Sequence, residues 1–240
     1  MILSNNKILI TGGATGIGLG LTERFIAEGN TVLICGRRAV ALKAVSDKYP
    51  TVITRVCDLS KANEREQLYN WIQTEHPDLN ILINNAGIQQ AVPLSDTDFY
   101  PKSTAEIAIN IEAPLHLSSL FSNLPLLHTI MNVSSGLGFV PIARMAVYCA
   151  TKAFLHSFTL SLRHVLKPKN IEVIEIIPPA VNTELGGHAR QGFAPSVDEF
   201  VAVVFEQLKE QKTEITYGFS EGMLNAGPLE RQKAFDRMNQ

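Results

Sequence analysis

The sequence predicts a single doubly wound α/β domain, with one mostly parallel, seven-stranded sheet and helices on both faces. Three observations predict it. Short apolar, β-branched runs alternate with longer amphipathic ones along the chain. Those short runs are nearly continuous in apolar residues rather than alternating, the pattern of strands covered on both faces. A glycine-rich turn stands between the first run and the first helical stretch. At 240 residues the chain can bury one large core, and no shift in composition marks a boundary, so residues 1–240 are read as one domain.

The elements follow in order. Lys7 to Ile10 reads as the first strand, and a helix runs from about Gly16 to Glu28, where Gly29-Asn30 ends it. Thr31 to Cys35 is the second strand, Val40 to Lys48 a helix stopped by Pro50, and Thr51 to Val56 the third strand. Asp58-Leu59-Ser60 opens a helix that continues to about Thr74, and Asn80 to Ile83 is the fourth strand. Residues from Gln89 to Thr104, with Pro93 and Pro101 among many polar groups, are expected as a loop before a helix over Ala105 to Leu120. Thr129 to Val133 is a strand, Ala146 to Leu166 a long helix, and Ile171 to Ile177 a strand ended by Pro178-Pro179. Val197 to Gln211 is helical in pattern, and Glu214 to Tyr217 is a last edge strand. Pro228 to Met238, with Leu229, Ala234, Phe235 and Met238 among charged residues, is expected as a short docking helix.

Composition excludes several classes. The formal net charge of -2 lacks the basic excess of a nucleic-acid surface. Cys35, Cys57 and Cys149 form no C-x-x-C pair and fit a reducing compartment. No apolar run approaches membrane-spanning length and Met1 to Lys7 has no signal-peptide core, so a cytoplasmic protein without membrane insertion is expected. None of the six histidines shows a metal-ligand spacing, and no metal is expected.

The turn Thr11-Gly12-Gly13-Ala14-Thr15-Gly16-Ile17-Gly18 links the first strand to the first helix. A pyrophosphate needs close backbone approach, free N–H groups and the positive end of a helix, which glycines here supply. On a doubly wound sheet this marks a Rossmann-type dinucleotide site, although the spacing is G-x-x-x-G-x-G and not G-x-G-x-x-G. After the second strand stands Gly36-Arg37-Arg38, with no carboxylate to bond the ribose hydroxyls. Arginine there can pair with a 2′-phosphate, or both can be solvated surface charges. Asp58 can reach an adenine amino group or cap the following helix. Asn84-Asn85-Ala86-Gly87, past the fourth strand, is small enough to approach a nucleotide and is equally a turn signal.

Tyr148 and Lys152 lie four apart at the start of a helix and share a face. A free tyrosine titrates near ~10. A neighbouring ammonium stabilises the phenolate and brings it toward a useful range for proton transfer. Taken alone, such a pair is also common on exposed helices. Ser134-Ser135 can hold a substrate oxygen or cap a turn, and Asn110, in an otherwise apolar stretch, needs buried partners.

Together these motifs carry a resemblance. T-G-G-A-T-G-I-G, C-D-L, N-N-A-G, N-I-E-A-P, V-S-S-G and Y-C-A-T-K-A-F occur in one order, and the chain resembles the short-chain dehydrogenase/reductase family over essentially its whole length. In I-C-G-R-R, N-N-A-G-I-Q, Y-C-A-T-K-A-F and the closing stretch it is similar to a DltE-like bacterial branch. The resemblance implies Asn110, Ser135, Tyr148 and Lys152 as catalytic residues, with Lys152 also holding the nicotinamide ribose. It places the cofactor on Gly12, Thr15, Gly16, Ile17, Gly18, Arg37, Arg38, Asp58, Leu59, Asn85, Ala86, Gly87, Tyr148, Lys152, Pro178, Val181 and Thr183. Pro179 replaces the usual glycine of the P-G-x-x-x-T segment, which bears on the carboxamide contact at Thr183. Asn80 stands where an aspartate is common.

The expected function is hydride transfer between NADP, or NAD, and a carbonyl or secondary alcohol. A catalytically silent dinucleotide-binding sensor or scaffold is the alternative. An extended-family epimerase or dehydratase would need a G-x-x-G-x-x-G turn and a sizeable C-terminal substrate domain, and neither is present. Gln89 to Phe99, Gly136 to Val147 and Leu185 to Phe193 are the expected pocket walls, with His188 and Arg190 as anion contacts or solvated loop residues. A homodimer or homotetramer is expected. Leu115, Leu117, Phe154, Phe158 and Leu162 put apolar residues on more than one face of their helices, and the resemblance implies that these helices pair between subunits.

Overall fold

The computed structural model describes residues 2–187 and 194–240. Seven strands form one sheet: β1 (Lys7–Thr11), β2 (Thr31–Gly36), β3 (Ile53–Val56), β4 (Ile81–Asn84), β5 (Thr129–Val133), β6 (Glu172–Ile177) and β7 (Glu214–Thr216). Their order is β3-β2-β1-β4-β5-β6-β7, every pairing is parallel, and the order reverses between β1 and β4. Ligands on such sheets bind beyond the carboxyl ends of the strands at that reversal.

Side-chain parity along the strands divides the core in two. Ile8 and Ile10 face one side, with Leu21 and Phe25 of α1 (Gly16–Ala27), Leu42 and Val45 of α2 (Ala39–Lys48), and Phe200, Val204 and Phe205 of α7 (Val197–Lys209). Leu9 faces the other, with Leu68 and Ile72 of α3 (Ala62–Glu75), Leu117 and Phe121 of α5 (Ala113–Phe121), and Leu162 and Leu166 of α6 (Ala146–Leu166). Both faces of the central strands are therefore buried, which is why those strands read as unbroken apolar runs.

Three features depart from the sequence expectation. The segment expected as a loop to Thr104 already contains α4 (Phe99–Ile107). Pro101 sits in its first turn, where a missing N–H leaves no helical hydrogen bond unmade. The helix expected over Ala105 to Leu120 is α4 and α5 joined by a wider π-turn at Ala108–Glu112 that carries Asn110. A short helix, α8 (Phe219–Asn225), follows β7, before α9 (Pro228–Met238).

Helix α9 is held by its end and its middle. Asn239, just past it, accepts from the Ala143 backbone N–H at 2.6 Å and donates to the Pro141 carbonyl at 3.1 Å. Ala234 is buried, whereas Leu229, expected on the docking face, is 79% exposed. No helix among the described residues is long and apolar enough to cross a membrane.

Candidate active site

The carboxyl ends of the strands open into a cleft of about 1750 Å³. That exceeds the usual range for one small ligand and leaves room for a dinucleotide beside a second molecule.

At one end lies the glycine turn. Gly12 and Gly16 have φ of 66° and 54°, conformations in which side chains are strained. At Gly18 a Cβ would overlap the Gly12 carbonyl and the Asn85 amide, so the turn closes only with glycine there. Thr11 fastens this turn to the segment after β4. Its Oγ1 accepts from the backbone N–H groups of Asn85 and Ala86 at 2.9 and 3.0 Å, while Asn85 Nδ2 donates to the Thr11 carbonyl at 2.9 Å. Asn80 joins β4 to β1 by accepting from the Lys7 N–H at 3.1 Å. The cradle at the start of α1 is thus rigid, lacks side-chain bulk and sits at a helix N-terminus, which fits a pyrophosphate.

The residues expected around the adenosine end separate. Arg37 and Leu59 line the cleft, whereas Arg38 and Asp58 are not part of its wall. Arg38 Nη2 donates to Thr15 Oγ1 at 3.1 Å. Asp58 Oδ1 accepts from the Ser60 backbone N–H and hydroxyl at 3.1 and 2.8 Å, a turn ahead of α3, whose N-cap position is Lys61 and carries no side-chain cap, so Asp58 does not cap that helix. Burial would raise the Asp58 carboxyl, but the two Ser60 hydrogen bonds and the charges of Arg37 and Lys61 hold it below its ordinary value.

Ser135, Tyr148 and Lys152 line the same cleft, with Gly87, Pro178, Val181 and Thr183. Ser135, Tyr148 and Lys152 are 7%, 5% and 5% exposed. Lys152 Nζ donates to the Val133 carbonyl at 2.8 Å and lies 5.8 Å from the centre of the Tyr148 ring. Burial pulls the Lys152 amine down to about 8, against the upward influence of the Glu175 charge. Ser135 Oγ also accepts from the Leu137 N–H at 3.2 Å, so this serine caps a turn while facing the cleft.

Asn110 stands behind the wall rather than in it. Its Oδ1 accepts from the Ile88 N–H at 2.9 Å, and its Nδ2 donates to the Ile88 carbonyl at 2.8 Å and to Thr151 Oγ1 at 3.1 Å. This fixes the chain just after Gly87, where a Cβ would stand 3.4 Å from Asn110 Oδ1 and 3.6 Å from Lys152 Nζ. Across the cleft, Thr183 is beside Gly16, and Gly136 N–H bonds the Pro178 carbonyl at 2.9 Å.

The cleft wall also includes Gln89, Leu137, Ile142, Met145, Phe219 and Met238. Phe219 and Met238 come from α8 and α9, elements that the sequence reading did not assign to this wall. Of the anticipated walls, His188, Arg190 and the rest of 188–193 lie outside the described residues. Glu175 was also missed. It is a fully buried carboxyl in β6 that receives Ser134 Oγ at 2.5 Å and meets His156 Nδ1 at 2.8 Å. A charged residue inside an apolar strand is the one trace that it leaves in the sequence. No cluster of potential metal ligands occurs among the described residues.

Comparison with known proteins adds independent findings. The family profile described as short chain dehydrogenase matches residues 6–193. The oxidoreductase DltE of Bacillus subtilis (strain 168) is 42% identical over 100% of this chain and 98% of its own. A short chain dehydrogenase from Burkholderia cenocepacia J2315, solved in complex with NADP, superposes with a TM-score of 0.86 at 25% identity, covering 100% of both chains. A short-chain dehydrogenase from Sphingobium yanoikuyae, solved with NADPH, gives a TM-score of 0.79 at 26% identity over 97% of this chain and 92% of that one.

Proposed function

We propose that this chain, which belongs to the short-chain dehydrogenase family, uses NADP to interconvert a carbonyl and a secondary alcohol, with Tyr148 exchanging the proton. One observation carries the reading: Tyr148 and Lys152 are buried one helical turn apart in the cleft that ends at the glycine turn. The relatives solved with NADP and NADPH support the cofactor, as does Arg37 on the cleft wall just after β2, where Gly36-Arg37-Arg38 holds no carboxylate in sequence. The nicotinamide supplies or accepts the hydride.

The chain's own residues do the rest. Gly12 to Gly18 would receive the pyrophosphate on backbone N–H groups, and Arg37 would pair with the 2′-phosphate. Thr183, beside Gly16, would hold the carboxamide, and Lys152 would hold the nicotinamide ribose. The Lys152 ammonium stabilises the Tyr148 phenolate, so that the hydroxyl protonates the substrate oxygen in one direction and accepts its proton in the other. Ser135 orients that oxygen. Asn110 acts one step removed, by holding Ile88 and with it the wall beside Gly87. The apolar wall residues Leu137, Ile142, Met145, Phe219 and Met238 favour a substrate with a hydrocarbon body.

The same reading takes the chain as a homodimer or homotetramer. Leu117 and Leu162 are spent on the core, but Leu115 and Leu160 are 43% and 42% exposed, and Phe154 stacks on Phe158 with ring centres 5.9 Å apart. Such a surface on α5 and α6 is satisfied by a second copy. Following NADPH oxidation with a panel of aldehydes, ketones and quinones tests the reaction. Turnover of none of them, with NADPH bound, would favour the sensor reading.

A further inference from the structure

We propose that Glu175, which bridges Ser134 and His156 behind the cleft, is a positioning residue that keeps Lys152 protonated, with His156 as its solvent-facing counter-ion. The inference rests on the reading of Tyr148 and Lys152 as the proton-exchanging pair.

Placement comes first. Tyr148, Lys152 and His156 are spaced four and four apart on α6, so they form one stripe along the helix. Glu175 shares the parity of Val173 in β6 and so points to the face of the sheet that α6 covers. Its carboxyl is wholly buried, receives the Ser134 hydroxyl and meets His156 Nδ1 at 2.8 Å. Ser134 directly follows Val133, whose carbonyl accepts the Lys152 amine. The acidic group and the lysine are therefore anchored on adjacent residues of one strand end.

Energetics decides what this does. A buried carboxylate is tolerated only with partners, and one further ordinary apolar residue would have served the core. Here the partners are a hydroxyl and an imidazole whose side chain is 22% exposed. Glu175 opposes the desolvation that pulls Lys152 down, and its hydrogen bond raises His156 above its ordinary value against burial. Both cations draw on one carboxylate. When His156 is charged it neutralises Glu175 and weakens support for Lys152; when His156 is neutral the support is complete.

Other charges face this cluster. Glu214 lies opposite Glu175 in β7 and raises His156, but it is engaged by Arg163 of α6 at 3.5 Å. Arg231 of α9 lowers His156, and its guanidinium stands over Phe139, whose ring packs edge-on against the imidazole. These are the same in every variant below, so differences report Glu175 and His156.

The test is a pH titration of the cofactor-free protein, with lysine isotope-labelled and read by NMR at the ε-carbon, Lys152→Arg serving to assign the resonance. Glu175→Gln keeps shape and should lower the Lys152 midpoint by roughly one pH unit. His156→Gln should leave it unchanged or raise it. In NADPH-linked turnover, the alkaline limb of the pH profile should move down with Glu175→Gln alone. An unchanged Lys152 midpoint in Glu175→Gln, or a fall in both variants, overturns the inference. Should glutamine at 175 unfold the chain, Lys152→Met serves instead: the His156 ring should then titrate higher than in the parent, and no change counts against the proposal. Failure of the underlying reading looks different, because Tyr148→Phe with undiminished turnover would leave these titrations as they are.

Discussion

Lys152 Nζ donates to the Val133 carbonyl at 2.8 Å, which ties the amine on α6 to the carboxyl end of β5. The same amine is 5% exposed and pulled down to about 8 by burial. Its folded value lies below the ordinary 10.5, so the charged amine costs stability below about 8, and the cost fades as pH rises toward 10.5. Lys152→Met should therefore be at least as stable as the parent near neutral pH, while losing on the order of 100-fold in turnover and weakening cofactor binding. Thermal melting beside NADPH-binding titration checks both; a less stable variant at pH 7 would contradict the account of the amine.

Cofactor preference should follow Arg37. One charge-assisted contact to a 2′-phosphate is worth about one to two decades in affinity. Arg37→Asp should reverse the order of NADP and NAD by fluorescence titration. Arg38→Ala should matter less, since that guanidinium bonds Thr15 and is not part of the cleft wall. Equal affinity of the parent for both dinucleotides would contradict the assignment.

Glu106 makes stability fall with rising pH. It is 2% exposed, accepts from the Gln90 N–H at 2.6 Å, and burial pushes it from 4.5 up to about 7. A folded value above the unfolded one gives a contribution that is complete below 4.5 and lost as pH rises through 7. Glu106→Gln should remove this dependence, with a parent-to-variant difference that grows by about 3 kcal/mol across that window. Urea unfolding at pH 4.5 and pH 8 would show it, and parallel curves would refute it.

Asn239 fastens the end of α9 next to Met238 on the cleft wall. Losing its bonds to Ala143 and Pro141 should free the end of α9, which brings Met238 to the cleft. Asn239→Ala should raise substrate KM severalfold and leave NADPH affinity unchanged. An equal loss of both would mean that the whole domain had loosened.

What the sequence revealed followed from contacts close in the chain or repeated in period. Ile8 to Ile10 and Ile81 to Ile83 announce themselves because both sheet faces are buried. The glycine turn is legible because its backbone geometry dictates residue type at Gly12, Gly16 and Gly18. Hidden features depend on partners far along the chain. Asn110 is visible as a polar residue in an apolar stretch, but its partner Ile88, 22 residues away, is not, and Glu175 meets His156 and Ser134 at separations of 19 and 41. Pro101 concealed the start of α4 because a proline in the first turn looks the same, in sequence, as a helix breaker. Asp58 does not fill the local role expected at the start of α3: its carboxyl bonds Ser60, and the helix begins at Ala62 without a side-chain cap.

The central claim is that Tyr148 exchanges the substrate proton, and Tyr148→Phe tests it most directly because the ring and its packing remain. General acid–base assistance is worth about 10²–10⁴-fold. On a substrate that the parent reduces with NADPH, steady-state turnover of the variant should fall at least 100-fold while its NADPH affinity stays within about twofold. Normal turnover by Tyr148→Phe would contradict the assignment.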